Sequence, residues 1–137
     1  EYEFMNTAAE KTGCGILLDV NNIFVQSQNH NFNPYNYLDN IDIDPVGEIH
    51  IAGHISRSFD NGESLLIDTH NQYVRAEVWD LYEYAIKRFG PIPTLLEWDS
   101  DLPSLSELVA EANKSQDIIE RYKAGIETKA KANPDAA

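Results

Sequence analysis

Short apolar runs and longer helical patterns alternate along the chain, and this alternation predicts its secondary structure. Three apolar runs predict buried strands: GILLDV at 15–20, GEIHIAGH at 47–54 and TLLEWD at 94–99. Helical patterns cover residues 1–12, about 75–88 and about 105–123. The polar segment 21–41 predicts a long loop with a short helix at about 35–40, and the turn-forming residues of 55–64 predict a second loop.

Strands that alternate with helices are typical of an α/β fold with a parallel sheet and right-handed crossovers. We therefore expect one domain over residues 1–125, followed by a frayed polar tail at 126–137. Ligands of such sheets bind at the carboxyl ends of the strands, which makes those ends the expected place of a functional site.

The charge of the chain limits its classes of partner. The 23 acidic and 10 basic residues give a formal net charge of -13, which repels phosphate backbones and anionic membranes, although ordinary surface solubility explains the same excess. We expect neither a nucleic-acid nor a membrane partner. Cys14 is the single cysteine, so no internal disulfide forms and a cytoplasmic location is expected.

Polar side chains gather at the C-terminal ends of the predicted strands. Asp19 ends the first strand, His50 and His54 lie toward the end of the second, and Glu97 lies near the end of the third. Side chains alternate between the two faces of a strand, so His50 and His54 are expected to point the same way, toward the inside of a sheet or barrel. An unpaired polar group buried there costs about 1 to 3 kcal/mol, so both rings need partners.

A second pair, Asp68 and His70 in the run IDTH, adds ligand atoms at an alternating spacing. Histidines and carboxylates from several strand ends form a mixed nitrogen and oxygen set, which suits iron, manganese or zinc. Two other interpretations stay open: His50 by itself fits a hydrogen-bonded core histidine, and Asp19 with Glu97 fits an acid–base pair without metal. The acid–base pair leaves three histidines unexplained.

Three further polar residues have less specific signals. Asn21 and Asn22 follow Asp19 and fit an oxygen-rich metal shell or a simple turn equally well. His30 lies within the predicted loop, where a hydrogen bond that fixes the loop is expected.

The ordered motifs LLDVNN, EIHIAGH, IDTH and LLEWD resemble the multinuclear non-haem iron enzymes of the methanobactin-biosynthesis type (MbnB/TglH-like). The resemblance implies a TIM barrel of the xylose isomerase-like kind that binds two or three irons at its mouth and oxidises cysteines in ribosomally made peptides with dioxygen. Carried over position by position, it assigns these residues to the iron site: Asp19, Asn22, His50, His54, Asp68, His70 and Glu97.

A (β/α)8 barrel needs about 250 residues, so this chain is expected to supply its C-terminal half, about four parallel strands with their helices. The resemblance then implies a missing N-terminal half, a peptide substrate and a small partner protein. Two alternatives stay open: a divalent-metal isomerase or hydrolase on the same barrel, and a metal-binding fragment without activity. Because the ligands of the resembling site come from both halves, the isolated chain is expected to be inactive.

Overall fold

A computed structural model describes residues 1–132. The helices are α1 (Tyr2–Thr12), α2 (Val20–His30), α3 (Pro34–Asp39), α4 (Ala76–Phe89) and α5 (Leu105–Ala132). The strands are β1 (Ile16–Asp19), β2 (Val46–Ala52), β3 (Ile55–Ser58), β4 (Ser64–Ile67) and β5 (Thr94–Glu97). The predicted α/β class is confirmed, and α1 and α4 end at Gly13 and Gly90, as their sequences indicate.

The parallel sheet has three strands in the order β1-β2-β5, not the four that we expected. The two other strands form a separate antiparallel pair, in which Ile55 of β3 opposes Ile67 of β4. This hairpin replaces the predicted loop at 55–64. Three parallel strands with flanking helices are compatible with part of a barrel.

Helix α2 replaces most of the long loop predicted for 21–41. Its N-cap is Asp19, whose side chain accepts a hydrogen bond from the backbone N–H of Asn22. Val20, Ile23 and Ser27 are buried at a helical spacing, so packing against the sheet outweighs the low helix propensity of the asparagines. His30 is the last residue of this helix and is exposed, so its predicted place within a loop is wrong.

The short helix predicted at 35–40 is confirmed as α3, whose N-cap Asn33 accepts from the backbone N–H groups of Tyr35 and Asn36. Helix α5 extends to Ala132, beyond the predicted end at residue 123. The expected frayed tail at 126–137 therefore overlaps α5, and its residues 133–137 lie outside the described part of the chain. No helix within residues 1–132 is both long and apolar enough to cross a membrane.

The two faces of the parallel sheet have different surroundings. Leu18, Ile49 and Ile51 are buried in one core together with side chains of α2 and α4. On the opposite face Leu17 and Leu95 are 48% and 46% exposed, respectively. Parallel sheets are normally covered on both sides, so this open face is unusual for the fold class.

Candidate metal centre

The open face of the sheet carries the polar ends of all three parallel strands. Asp19 of β1 lies beside His50 of β2, and Ala52 of β2 lies beside Glu97 of β5. By the alternation of side chains, Asp19, His50 and Glu97 share the face of the exposed Leu95. The predicted convergence of strand ends is therefore present.

His70 reaches this face from the loop that follows β4. Its backbone has a positive φ of 49°, and its N–H donates to the carbonyl oxygen of Gly53 at 3.0 Å. Its own carbonyl oxygen accepts from the backbone N–H of Asp99 at 2.7 Å. These two bonds fasten the loop across the ends of β2 and β5, which sequence spacing alone does not indicate.

Gly53 makes this close approach feasible. A Cβ atom at position 53 would lie 1.9 Å from the carbonyl oxygen of Gln72, far inside van der Waals contact. The glycine in the run AGH is therefore required by the backbone of the loop that carries His70.

Asp19, His70 and Glu97 form the centre of the site. One ligand atom from each lies within 4.8 Å of the other two, and all three side chains are partly buried. Glu97 contacts both histidines, with its Oε1 at 3.1 Å from Nδ1 of His50 and its Oε2 at 3.4 Å from Nδ1 of His70. One imidazole and two carboxylates with converging ligand atoms fit a divalent metal of the iron, manganese or zinc type.

Asp68 lies behind His70 and accepts hydrogen bonds from three side chains. The His70 Nε2 is 2.9 Å from Oδ1 of Asp68, and Nδ2 of Asn22 donates to Oδ2 at 3.2 Å. The side-chain amide of Asn21 also donates to Oδ1. A carboxylate that holds the far nitrogen of a histidine is a common support for a metal ligand, because it fixes the ring and raises the basicity of the near nitrogen.

His54 lies apart from the Asp19, His70 and Glu97 group. The strand ends at Ala52, so the expected alternation does not reach His54, and its ring is buried against Phe24. Its Nδ1 is 2.8 Å from Oδ1 of Asn21, and its buried Nε2 has no hydrogen-bond partner within residues 1–132. The direction shared with His50 is thus not observed, and a ligand role for His54 stays a prediction.

Asn21 is a buried residue of this site. Its sequence position fits a metal ligand and a turn former equally well. It is fully buried on α2 and contacts both His54 and Asp68. The one signal in the sequence is its position two residues after Asp19, where the first turn of a helix brings it back toward the strand ends.

Burial and neighbouring charges shift the pKa values of Asp19 and His70. Burial raises the pKa of Asp19, partly offset by the backbone N–H of Asn22, and the charge of Asp68 raises it further. Burial acts to lower the pKa of His70, but the carboxylates of Asp68, Glu97 and Asp19 together raise it. The carboxylates that help to raise both pKa values also attract a metal cation, which would displace the bound protons.

The chain matches a known family over most of its length. The model of the family described as "RiPP precursor modification enzyme MbnB/TglH/ChrH" matches residues 1–120. The chain belongs to this family. The resemblance stated from the four motifs is confirmed at this level.

The chain is also similar to individual proteins that are longer than it is. The chain is 44% identical over 126 residues to UPF0276 protein RB0508 of Rhizobium meliloti (strain 1021). The aligned region covers 92% of this chain and 41% of that relative. It is 46% identical over 118 residues to a UPF0276 protein of Paraburkholderia phytofirmans, and this alignment covers 86% of the chain and 38% of the relative. The chain thus spans about two fifths of the length of these relatives.

Proposed function

We propose that this chain is part of an iron-dependent enzyme that oxidises a cysteine in a ribosomally synthesised peptide, with dioxygen as the electron acceptor. The observation that carries the proposal is the convergence of Asp19, His70 and Glu97 at the ends of the parallel sheet, in a chain of a peptide-modifying family. The donor set suits iron, while manganese and zinc bind similar sets.

In this proposal Asp19, His70 and Glu97 hold a first metal ion. Glu97 can also serve a second ion, since its two oxygens face different histidines, His50 and His70. Asp68 holds the ring of His70, and Glu48, 3.4 Å from the other nitrogen of His50, holds that ring. Bound iron would supply open coordination positions and one-electron redox chemistry beside the substrate thiol.

The remaining proposed ligands depend on rearrangement or on further chain. The Asn22 side chain reaches His70 only through Asp68, and the His54 ring reaches it only through Asn21 and then Asp68. Two or three irons need more ligands than the three converging side chains provide. We propose that an N-terminal half of a TIM barrel supplies them, which the length of the relatives and the open face support.

The same open face supports the proposed partners. Leu17 and Leu95 are half exposed, each two residues before the polar residue that ends its strand, so a covering layer would bury apolar surface as it closes the site. We propose that this layer is the other half of the barrel, and that the peptide substrate and a small partner protein bind at the mouth that results.

Anaerobic metal binding tests the proposal on the chain itself. We expect the 137-residue chain to bind Fe(II), and Glu97→Gln to weaken binding at least about tenfold, since it removes one ligand charge. The matched control is Glu120→Gln, which removes the same charge from the exposed surface of α5 and should bind like the wild type. Equal loss in both variants, or no iron binding by the wild type, would contradict the proposed centre.

Activity needs the longer protein. In a full-length relative with the same motifs, iron and dioxygen should both be required to modify a cysteine-containing precursor peptide. Full turnover with a redox-inactive metal would instead support the isomerase or hydrolase alternative.

A further inference from the structure

Asn21 connects two groups that the proposed mechanism uses separately. The residue is fully buried, and its side-chain amide lies between the carboxylate of Asp68 and the ring of His54. Its nitrogen faces Asp68, and its oxygen is 2.8 Å from Nδ1 of His54.

The orientation of this amide is fixed by chemistry. The carboxylate of Asp68 has only acceptor oxygens, and it already accepts from His70 and Asn22. If the amide of Asn21 were turned over, its oxygen would face a carboxylate oxygen and its nitrogen would face the ring of His54. Asn21 must therefore donate to Asp68, which leaves its oxygen toward His54.

An amide oxygen only accepts, so Nδ1 of His54 must carry a hydrogen. The ring is buried, no carboxylate pairs with it within residues 1–132, and burial disfavours its charged form. A neutral imidazole carries one hydrogen, so the lone pair belongs to Nε2. That atom is buried and has no hydrogen-bond partner in the described part of the chain.

We propose that Asn21 is a positioning residue that holds His54 in the Nδ1–H tautomer and steadies Asp68 behind His70. Whatever meets Nε2 of His54 in the complete protein must be a hydrogen-bond donor or a cation, because a lone pair cannot face an acceptor. The effect of Asn21 on metal binding rests on the proposed function, whereas the tautomer does not.

Nitrogen-15 NMR of the imidazoles tests the tautomer directly in the metal-free chain. The protein has four histidines, so the loss of one set of signals in His54→Gln assigns the ring. Above the ordinary imidazole pKa of about 6.5, we expect Nδ1 of His54 to be the protonated nitrogen. A proton on Nε2 in the wild type would overturn the proposal without any variant of Asn21.

Two variants on helix α2 separate positioning from general packing. Asn21→Leu removes both hydrogen bonds at similar volume, and we expect the His54 ring to lose its Nδ1–H preference. Ser27→Ala, at another buried polar position of the same helix, should leave the ring signals unchanged. An unchanged tautomer in Asn21→Leu would overturn the assignment.

Titration with Mn(II) tests the second half of the proposal. We expect Asn21→Leu to bind Mn(II) about 10- to 100-fold more weakly than Ser27→Ala, the range found when supports of metal ligands are removed. Equal affinity in the two variants would overturn the role toward Asp68. If the wild type binds no metal, the proposed function fails, while the NMR result still decides the tautomer.

Discussion

The backbone N–H of His70 donates to the carbonyl oxygen of Gly53 at 3.0 Å, and this bond places a loop histidine over the ends of the parallel strands. The contact requires that position 53 has no side chain, because a Cβ there would overlap the carbonyl groups of Gln72 and Tyr73. Gly53 lies between two sequence-predicted histidines, His50 and His54, yet its importance comes from a segment about 20 residues away.

Gly53→Ala should displace the loop that carries His70 and so disrupt the candidate centre. The clash is with backbone atoms, which cannot rotate away, so we expect the free energy of unfolding to fall by at least about 1 to 3 kcal/mol. Chemical denaturation and Fe(II) titration measure the two effects. Gly47→Ala is the matched control, because Gly47 lies in β2, the strand that precedes Gly53, and a Cβ there meets no atom within 4 Å. A Gly53→Ala variant that binds iron like Gly47→Ala would contradict this account.

Asp19→Asn should separate stability from metal binding. Burial raises the pKa of Asp19, so the folded chain binds its proton more tightly than the unfolded chain does. As pH rises from 3.8, the ordinary pKa of an aspartate, through the raised pKa, Asp19 ionises and the metal-free fold loses stability. Asparagine keeps the helix cap but removes the charge.

We accordingly expect the metal-free Asp19→Asn variant to have a higher Tm than the wild type at neutral pH, and to bind Fe(II) at least about tenfold more weakly. Thermal unfolding and anaerobic titration check both. The advantage in Tm should shrink on acidification, and a lower Tm at neutral pH would argue against an unfavourable buried charge at this position.

His70 and His54 should affect the pH dependence of stability in opposite directions. The raised pKa of His70 gives stability that is present below about pH 6.5 and is lost as pH rises through the folded pKa. Burial lowers the pKa of His54, helped by the charge of Arg75, so its contribution is present above about pH 6.5 and is lost as pH falls.

The measurement is the difference in Tm between wild type and variant across pH, without metal. The loss of Tm in His70→Gln should be largest below about pH 6.5 and should decrease above it. The Tm difference for His54→Gln should instead change below about pH 6.5. Two differences that change in the same pH range would contradict these directions.

Asn29→Ala should loosen the β3–β4 hairpin that leads into Asp68. The Asn29 side chain donates to the carbonyl oxygen of Leu66 and accepts from its N–H, both at 2.9 Å, and so binds the outer edge of β4. Loss of two hydrogen bonds costs about 1 to 3 kcal/mol. We expect faster hydrogen exchange at the Leu66 amide, whereas Gln28→Ala, on the exposed side of the same helix, should leave that rate unchanged.

The sequence predicted the elements whose patterns are local. Helix α4 ends at Gly90 with buried residues at a helical spacing, and β1 and β5 are continuous apolar runs between turn formers. Helix α2 was missed because its asparagines and glutamines indicate a loop, whereas its stability comes from Val20 and Ile23 packing in the core. Local propensity is weak, and tertiary burial outweighs it.

The α/β class, the family and the candidate ligands Asp19, His70 and Glu97 could all be predicted from the sequence. Which of these groups come into contact depends on the three-dimensional fold. It placed His54 behind Asn21, and Asp68 behind His70, because those contacts depend on where a helix and a loop return to the sheet. Alternation within a strand follows from backbone geometry and is readable in sequence, whereas contacts between residues far apart in the chain are fixed only by packing.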